Sequence, residues 1–237
     1  MCLLYGCHAS EGQQVVSTRS YATQPATTTG EPILAVTECP TPDQLQAWWE
    51  AMQRDDLSVA YADSFPATLT DFCREVAQGE KILLLCLVDG QVAGAMWLHD
   101  LLRRRDGTVS AGWAGAYFLP SYRGPLAARL WQVVRQHWEA AGIEHIFCAV
   151  HVANRLSQVF VTRGLHFHRV GRFPAFALYR GQPTDLFIYT LYAEDAALAW
   201  ELATVRAVRQ TLSVVITPWR EGVHNANVSS ESSRSRC

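Results

Sequence analysis

The sequence predicts a mixed α/β chain in which short strands and amphipathic helices interleave around a layered core. Three observations carry this prediction. The apolar run Ile82-Leu83-Leu84-Leu85-Cys86-Leu87-Val88 has the length and composition of a buried strand. Asp89-Gly90, between that run and Gln91–Leu98, is a hairpin signal, because both turn positions need a positive φ. Leu126, Leu130, Val133, Val134 and Trp138 recur at helical spacing, which gives residues 126–141 one apolar face.

The remaining elements follow in order. Ile33–Val36 is a short strand, and Thr41-Pro42-Asp43 opens a helix through Met52, with Thr41 as N-cap and Pro42 at the first helical position. A second helix follows Thr68 or Thr70 and stops near Gly79. After the hairpin and the Arg103-Arg104-Arg105-Asp106-Gly107 loop comes a strand over Thr108–Leu119, then the loop Pro120–Pro125 and the helix over 126–141. Ile143–Val150 is a buried strand and Asn154–Arg163 a short helix ending at Gly164. His166–Phe173 and Asp185–Tyr192 are strands, Glu194–Leu212 is an extra amphipathic helix, and Val214–Thr217 adds a strand after it.

Composition bounds what such a chain can be. Of 237 residues 49% are apolar and 18% charged, and eight Trp, nine Phe and eight Tyr supply a sizeable core, which excludes wholesale disorder. A net charge of −2 gives no support for a nucleic-acid-coating chain. Seven cysteines, at 2, 7, 39, 73, 86, 148 and 237, include no CxxC pair, which argues against a zinc ribbon or a disulfide framework and for a reducing cytoplasm. No apolar run approaches the ~20 residues that span a bilayer. Met1-Cys2-Leu3-Leu4-Tyr5-Gly6-Cys7 lacks the basic and hydrophobic regions of a lipoprotein signal. Residues 1–31, rich in Ser, Thr, Gln and Gly, are expected to be a flexible leader or an over-extended start, and 220–237 a disordered Ser/Arg tail.

Two patches carry a family resemblance. Phe118-Leu119-Pro120-Ser121-Tyr122-Arg123-Gly124 leads from a strand into a helix. Asn154-x-x-Ser157 is followed by Phe160-Val161-Thr162-Arg163-Gly164-Leu165. In this order of elements, residues 32–192 resemble the GCN5-related N-acetyltransferases, the GNAT fold. The resemblance implies a mixed, mostly antiparallel central sheet flanked by helices. Residues 193–219, beyond the stretch it covers, read from their apolar spacing as an extra C-terminal helical extension. The first patch is similar to the end of the family's fourth strand and its pyrophosphate loop, the second to its Asn-x-x-Ala and Tyr-x-x-x-Gly-Phe segment.

The resemblance implies acetyl-CoA as cosubstrate, with no metal, and Phe118, Leu119, Arg123, Gly124, Leu126, Ala127, Ala128, Asn154, Ser157 and Phe160 as residues that hold it. Backbone N–H groups at a helix N-terminus suit a diphosphate, and glycine lets the backbone approach closely. The chain departs from the pattern at Leu126, where the family has its central glycine, and at Pro125, which lacks an N–H. It departs again at Phe160, where the family commonly has a tyrosine that protonates the leaving thiolate. A phenylalanine cannot do so, and Phe160 reads as a core residue.

Acyl transfer to an amine also needs a proton acceptor, a donor for the developing oxyanion, and proximity. By resemblance the oxyanion donor is a backbone N–H beside a bulge near Ala116, Tyr117 or Phe118. No Asp or Glu lies between Thr108 and Glu139. His151 is therefore the titratable candidate, against an exposed loop histidine, and Tyr117 is a candidate proton donor alongside Tyr122 and Tyr179. Cys148 reads as core, His166 and His168 as one solvated strand face, Arg103-Arg104-Arg105 as a solvent-exposed run, and one of Trp48 and Trp49 as core.

Two functions remain open. One is an acyl-CoA-dependent N-acyltransferase, acting on a small-molecule amine or a protein amino group. It would be cytoplasmic, with no nucleic-acid or membrane partner, and the C-terminal helix offers a homodimer face. The other is a degenerate, non-catalytic GNAT-fold protein for binding or assembly, a kind that occurs in bacteria and tailed phages, with a phage or prophage origin.

Overall fold

A computed structural model describes residues 31–55, 66, 68–179 and 182–208. The chain divides into two compact units, Met1–Glu144 and His145–Cys237. The first contains β1 (Leu34–Thr37), α1 (Pro42–Arg54), α2 (Leu69–Ala77), β2 (Ile82–Val88), β3 (Gln91–Arg103), β4 (Val109–Phe118) and α3 (Pro125–Ala140). Its strands pair in sequence order, all antiparallel. The hairpin forms as expected, with Asp89 and Gly90 at φ 49° and 77°.

Local chemistry explains the helix starts. The Thr41 hydroxyl accepts the Gln44 N–H at 3.2 Å and the Gln44 carboxamide accepts the Thr41 N–H at 3.0 Å, a reciprocal cap ahead of Pro42. Of the two threonines offered for α2, Thr68 is the cap, and its hydroxyl accepts the Asp71 N–H. β3 runs five residues past the expected Leu98, because irregularities between His99 and Arg103, with Asp100 at φ 48°, bend the strand without ending it.

Both Trp48 and Trp49 are buried, not one of them. Trp48 meets Trp97 of β3 at 6.0 Å and Phe72 of α2 at 5.6 Å, while Trp49 meets Phe72 at 5.9 Å, so sheet and helix cover adjacent sides of α1. The apolar stripe of α3 is Ala127, Leu130, Trp131, Val134 and Trp138; Leu126 and Val133, expected on it, are half-buried at its margins. The arginine run is not idle. Arg103 donates to the Gly79 carbonyl beyond α2 and to Gly107, while Arg104 reaches the Gly142 carbonyl and pairs with Glu144 at 2.9 Å.

The second unit contains β5 (His145–His151), α4 (Arg155–Val159), a π-helical turn (Phe160–Gly164), β6 (His168–Tyr179), β7 (Gln182–Thr190) and α5 over residues 196–208. Its strand order is β5-β7-β6, antiparallel throughout. β6 outruns the expected Phe173 and carries Pro174, which an outer strand tolerates because its unpaired side needs no N–H. His166 lies before β6 at φ 62°, so His166 and His168 are both exposed but do not share a strand face. Residues 194–195 form a 3₁₀ turn ahead of α5 rather than its first turn. The expected leader over 1–30, the end of the C-terminal helix at 209–212, the strand over Val214–Thr217 and the tail lie outside the described residues. Among the described residues no helix is long and apolar enough to cross a membrane.

Candidate functional site

In the first unit the candidate residues gather where β4 hands over to α3. A 3₁₀ turn over Pro120–Tyr122 leads the chain out of β4, and Gly124 follows at φ 75° and ψ −131°, a conformation open to glycine. α3 then starts at Pro125 with no side chain capping it. The first helical bond runs from the Ala128 N–H to the Gly124 carbonyl at 3.1 Å. The N–H groups of Gly124, Leu126 and Ala127 precede that bond and are the donors a helix start leaves over. Pro125 removes the fourth. Among the described residues, the chain neighbours apart, nothing lies within 4 Å of the point where a Gly124 Cβ would sit, which leaves room for an anion at this end of α3. Leu126 is half-buried, and Ala127 packs into the core at 1% exposure, which leaves its backbone as its contribution here.

Arg123 is held beside this helix end. Its Nε–H donates to the Phe118 carbonyl at 2.9 Å, and an Nη2 N–H donates to Asp55 Oδ2, the residue that ends α1. The guanidinium carbon lies 5.6 Å from the Tyr117 ring centroid. Asp55 was not legible as a partner: 68 residues separate it from Arg123, and nothing in its neighbourhood marks it. The hydrogen bonds from Arg123 and then Tyr117 hold the Asp55 carboxyl below its ordinary range, so it is a poor proton acceptor.

Tyr117 is buried in the cluster of Trp48, Phe72 and Trp97. Its hydroxyl has one proton to share between Asp55 Oδ2 and the Ala51 carbonyl, each 2.9 Å away. Burial first, and then the Asp55 hydrogen bond and charge, push its pKa up to about 12, which makes it a weak acid toward a thiolate. The fold thus favours the neutral phenol over its ordinary pKa of about 10. Stability from this site is complete below pH 10 and drains as pH rises toward 12. The thermal midpoint should therefore fall more steeply between pH 10 and 12 in the wild type than in Tyr117→Phe; equal slopes would exclude this environment for Tyr117.

The register with β3 is unbroken from Gly94–Phe118 to His99–Trp113, so the bulge expected near Ala116–Phe118 is not on that edge of β4. Leu119 continues the pairing through its N–H, which donates to the Ala93 carbonyl at 2.9 Å. A polar cleft of about 880 Å³ opens elsewhere, beside the end of α2, lined by Glu75, Gly79, Lys81, His99 and Arg103 among others. It shares no residue with the Arg123 loop, and Lys81 and Glu75 within it pair with each other at 2.7 Å.

In the second unit, His151 is the last residue of β5 and is 5% exposed, which corrects the exposed-loop alternative. Its carbonyl accepts from the Gln158 carboxamide at 3.0 Å and from the Asn154 N–H at 2.9 Å. Gln158, which the sequence does not single out, also bonds the Val152 carbonyl at 2.7 Å and so ties α4 to the end of β5. Asn154 caps α4, its Oδ1 accepting the Ser157 N–H at 3.1 Å. Phe160 opens the π-helical turn and is half-buried rather than a full core residue. Cys148 is buried, which pushes its thiol pKa up and leaves little thiolate.

No family model matches the chain, and no curated protein matches it. Solved structures do. RimL, a ribosomal L7/L12 alpha-N-protein acetyltransferase, superposes with a TM-score of 0.54 at 16% identity, over 70% of this chain and 91% of that one. RimL in complex with coenzyme A gives 0.53 at 17%, over 70% and 95%. RimJ of Mycobacterium smegmatis, in complex with CoA-disulfide, gives 0.56 at 15%, over 72% and 89%. The chain therefore has the fold of the GCN5-related N-acetyltransferases.

Proposed function

We propose that this chain is an acyl-CoA-dependent N-acyltransferase that moves an acetyl group from acetyl-CoA to an amine by direct attack. The observation that carries the reading is the open, uncapped start of α3 at Gly124, with a cationic side chain fixed beside it, in a chain whose fold recurs in proteins solved with coenzyme A. Both features suit a diphosphate: oriented N–H donors at a positive helix end and a guanidinium. The cosubstrate supplies an acyl group activated as a thioester. The chain's own residues bind and orient: Gly124, Leu126 and Ala127 through the free N–H groups of the helix start, Arg123 through its charge, and Phe118 and Leu119 as the strand end that leads into the loop. Ala128, whose N–H is spent on the Gly124 carbonyl, stays a coenzyme residue by resemblance only.

In the second unit the reading keeps Asn154, Ser157 and Phe160 as coenzyme residues by resemblance, and His151 as the group that takes the proton from the amine. Tyr117 is left out as proton donor because its hydroxyl faces Asp55 and Ala51. A thiol of ordinary pKa about 8.5 is a fair leaving group without an acid. Phe160→Tyr is expected to raise turnover by restoring a hydroxyl where the family has one; unchanged turnover in acetyl transfer would show that thiolate protonation does not limit the rate. The acceptor is a small-molecule amine or a protein amino group, and RimL, by its name, acts on a protein α-amino group. The acyltransferase reading covers residues 32–192, in the cytoplasm and without a metal, with 193–219 as an extension suited to a homodimer face.

Calorimetric titration of the full chain with acetyl-CoA and free CoA tests the reading. Micromolar affinity for either supports it. No detectable binding at millimolar ligand overturns it in favour of a non-catalytic binding or assembly protein, the reading that Phe160 and the missing Pro125 N–H favour.

A further inference from the structure

Asp55 joins three parts of the first unit that are remote in sequence: the end of α1, the core tyrosine of β4 and the loop before α3. Its Oδ2 receives the Tyr117 hydroxyl at 2.9 Å and an Nη2 N–H of Arg123, while the Arg123 Nε–H is bound to the Phe118 carbonyl at 2.9 Å. The guanidinium is thus fixed at two of its five N–H groups, which defines its plane. Among the described residues the other three, two on Nη1 and one on Nη2, meet no further partner. They sit on the residue that directly precedes Gly124 and the uncapped start of α3.

We propose that Asp55 is a positioning residue for coenzyme binding: it holds Arg123 so that its remaining N–H groups are presented, already ordered, with the N–H groups that open α3. The inference rests on the acyl-CoA reading of that loop. An arginine half-exposed on a loop samples many rotamers, and a diphosphate that meets it free must order it. Asp55 and Phe118 do that ordering before the ligand arrives. The carboxylate places a negative charge near the site, but it is met by the guanidinium and by the Tyr117 hydroxyl. It is also partly open to water and screened there. Preorganisation is therefore the larger effect. Asp55 touches no reacting atom in this role and acts through Arg123.

The test is calorimetry of the full chain with free CoA, alongside thermal unfolding of each variant. Asp55→Ala is expected to raise the CoA Kd about threefold to tenfold, the usual range for one side chain that must be ordered on binding. Asp55→Asn, whose amide oxygen can still accept a hydrogen bond, should recover part of the loss. Arg123→Ala should weaken binding more than Asp55→Ala does. The double variant should bind no worse than Arg123→Ala alone, a non-additivity that general destabilisation does not produce.

Unchanged or tighter binding in Asp55→Ala, with Arg123→Ala weakened, overturns the positioning role and leaves the coenzyme site standing. So does full additivity in the double variant. Unchanged binding in Arg123→Ala removes Arg123 from the coenzyme site and the inference with it, and no binding by the wild type overturns both. If Asp55→Ala does not fold, Asp55→Leu, similar in size and without an acceptor, carries the same comparison, and an affinity equal to that of wild type overturns the role.

Discussion

Gly115→Ala should cost this protein about 3 kcal/mol or more of stability, at the upper end of what overpacking does. Gly115 of β4 lies directly across from Trp97 of β3. A Cβ there would stand 2.3 Å from Trp97 Cε2 and 2.4 Å from Cζ2, far inside any tolerated contact. Trp97 cannot move aside, because it is 1% exposed and packed edge-on against Trp48 at 6.0 Å and Phe72 at 6.4 Å. For a chain of this size such a loss lowers the thermal midpoint by roughly 6–12 °C. A midpoint within about 2 °C of wild type would refute this packing. Trp97→Phe placed on top of Gly115→Ala should recover part of the loss, since the smaller ring vacates the contested space. The consequence reaches the site, because Tyr117 belongs to the same cluster and fastens α1 through Ala51.

Arg123→Ala is expected to weaken binding of CoA about tenfold to a hundredfold, the range for losing hydrogen bonds to a charged group. Gly124→Val should weaken it further. The present φ of 75° with ψ −131° is strained for any side chain, at about 1–3 kcal/mol, so the loop must shift. The branched side chain would also occupy the open space before the helix start. Titration calorimetry with free CoA measures both, and unchanged affinity in the two variants would remove the diphosphate site.

The fold was readable in the sequence to the extent that it depends on local physics. The Asp89-Gly90 hairpin, the Thr41 cap and the apolar run of β2 declare themselves within a few residues, whereas the cap of α2 was narrowed only to Thr68 or Thr70. Strand ends were less legible. β3 passes through Asp100 and β6 through Pro174, residues that usually stop a strand and are accommodated here by a bend and an outer position. The helix start at Gly124 was likewise visible, because glycine and proline set backbone angles wherever they stand.

What the sequence determined by itself is the order of elements and the loop that opens α3, since turn, cap and periodicity signals act over one or two turns of chain. The tertiary structure alone decided who meets Arg123. No carboxylate lies between Thr108 and Glu139, yet Asp55 reaches Arg123 and Tyr117 across 68 and 62 residues. It also decided that Trp48 and Trp49 are both core and that Tyr117 is a weak acid. Such facts depend on burial and on charges brought together by the fold, and neither has a local trace in the chain.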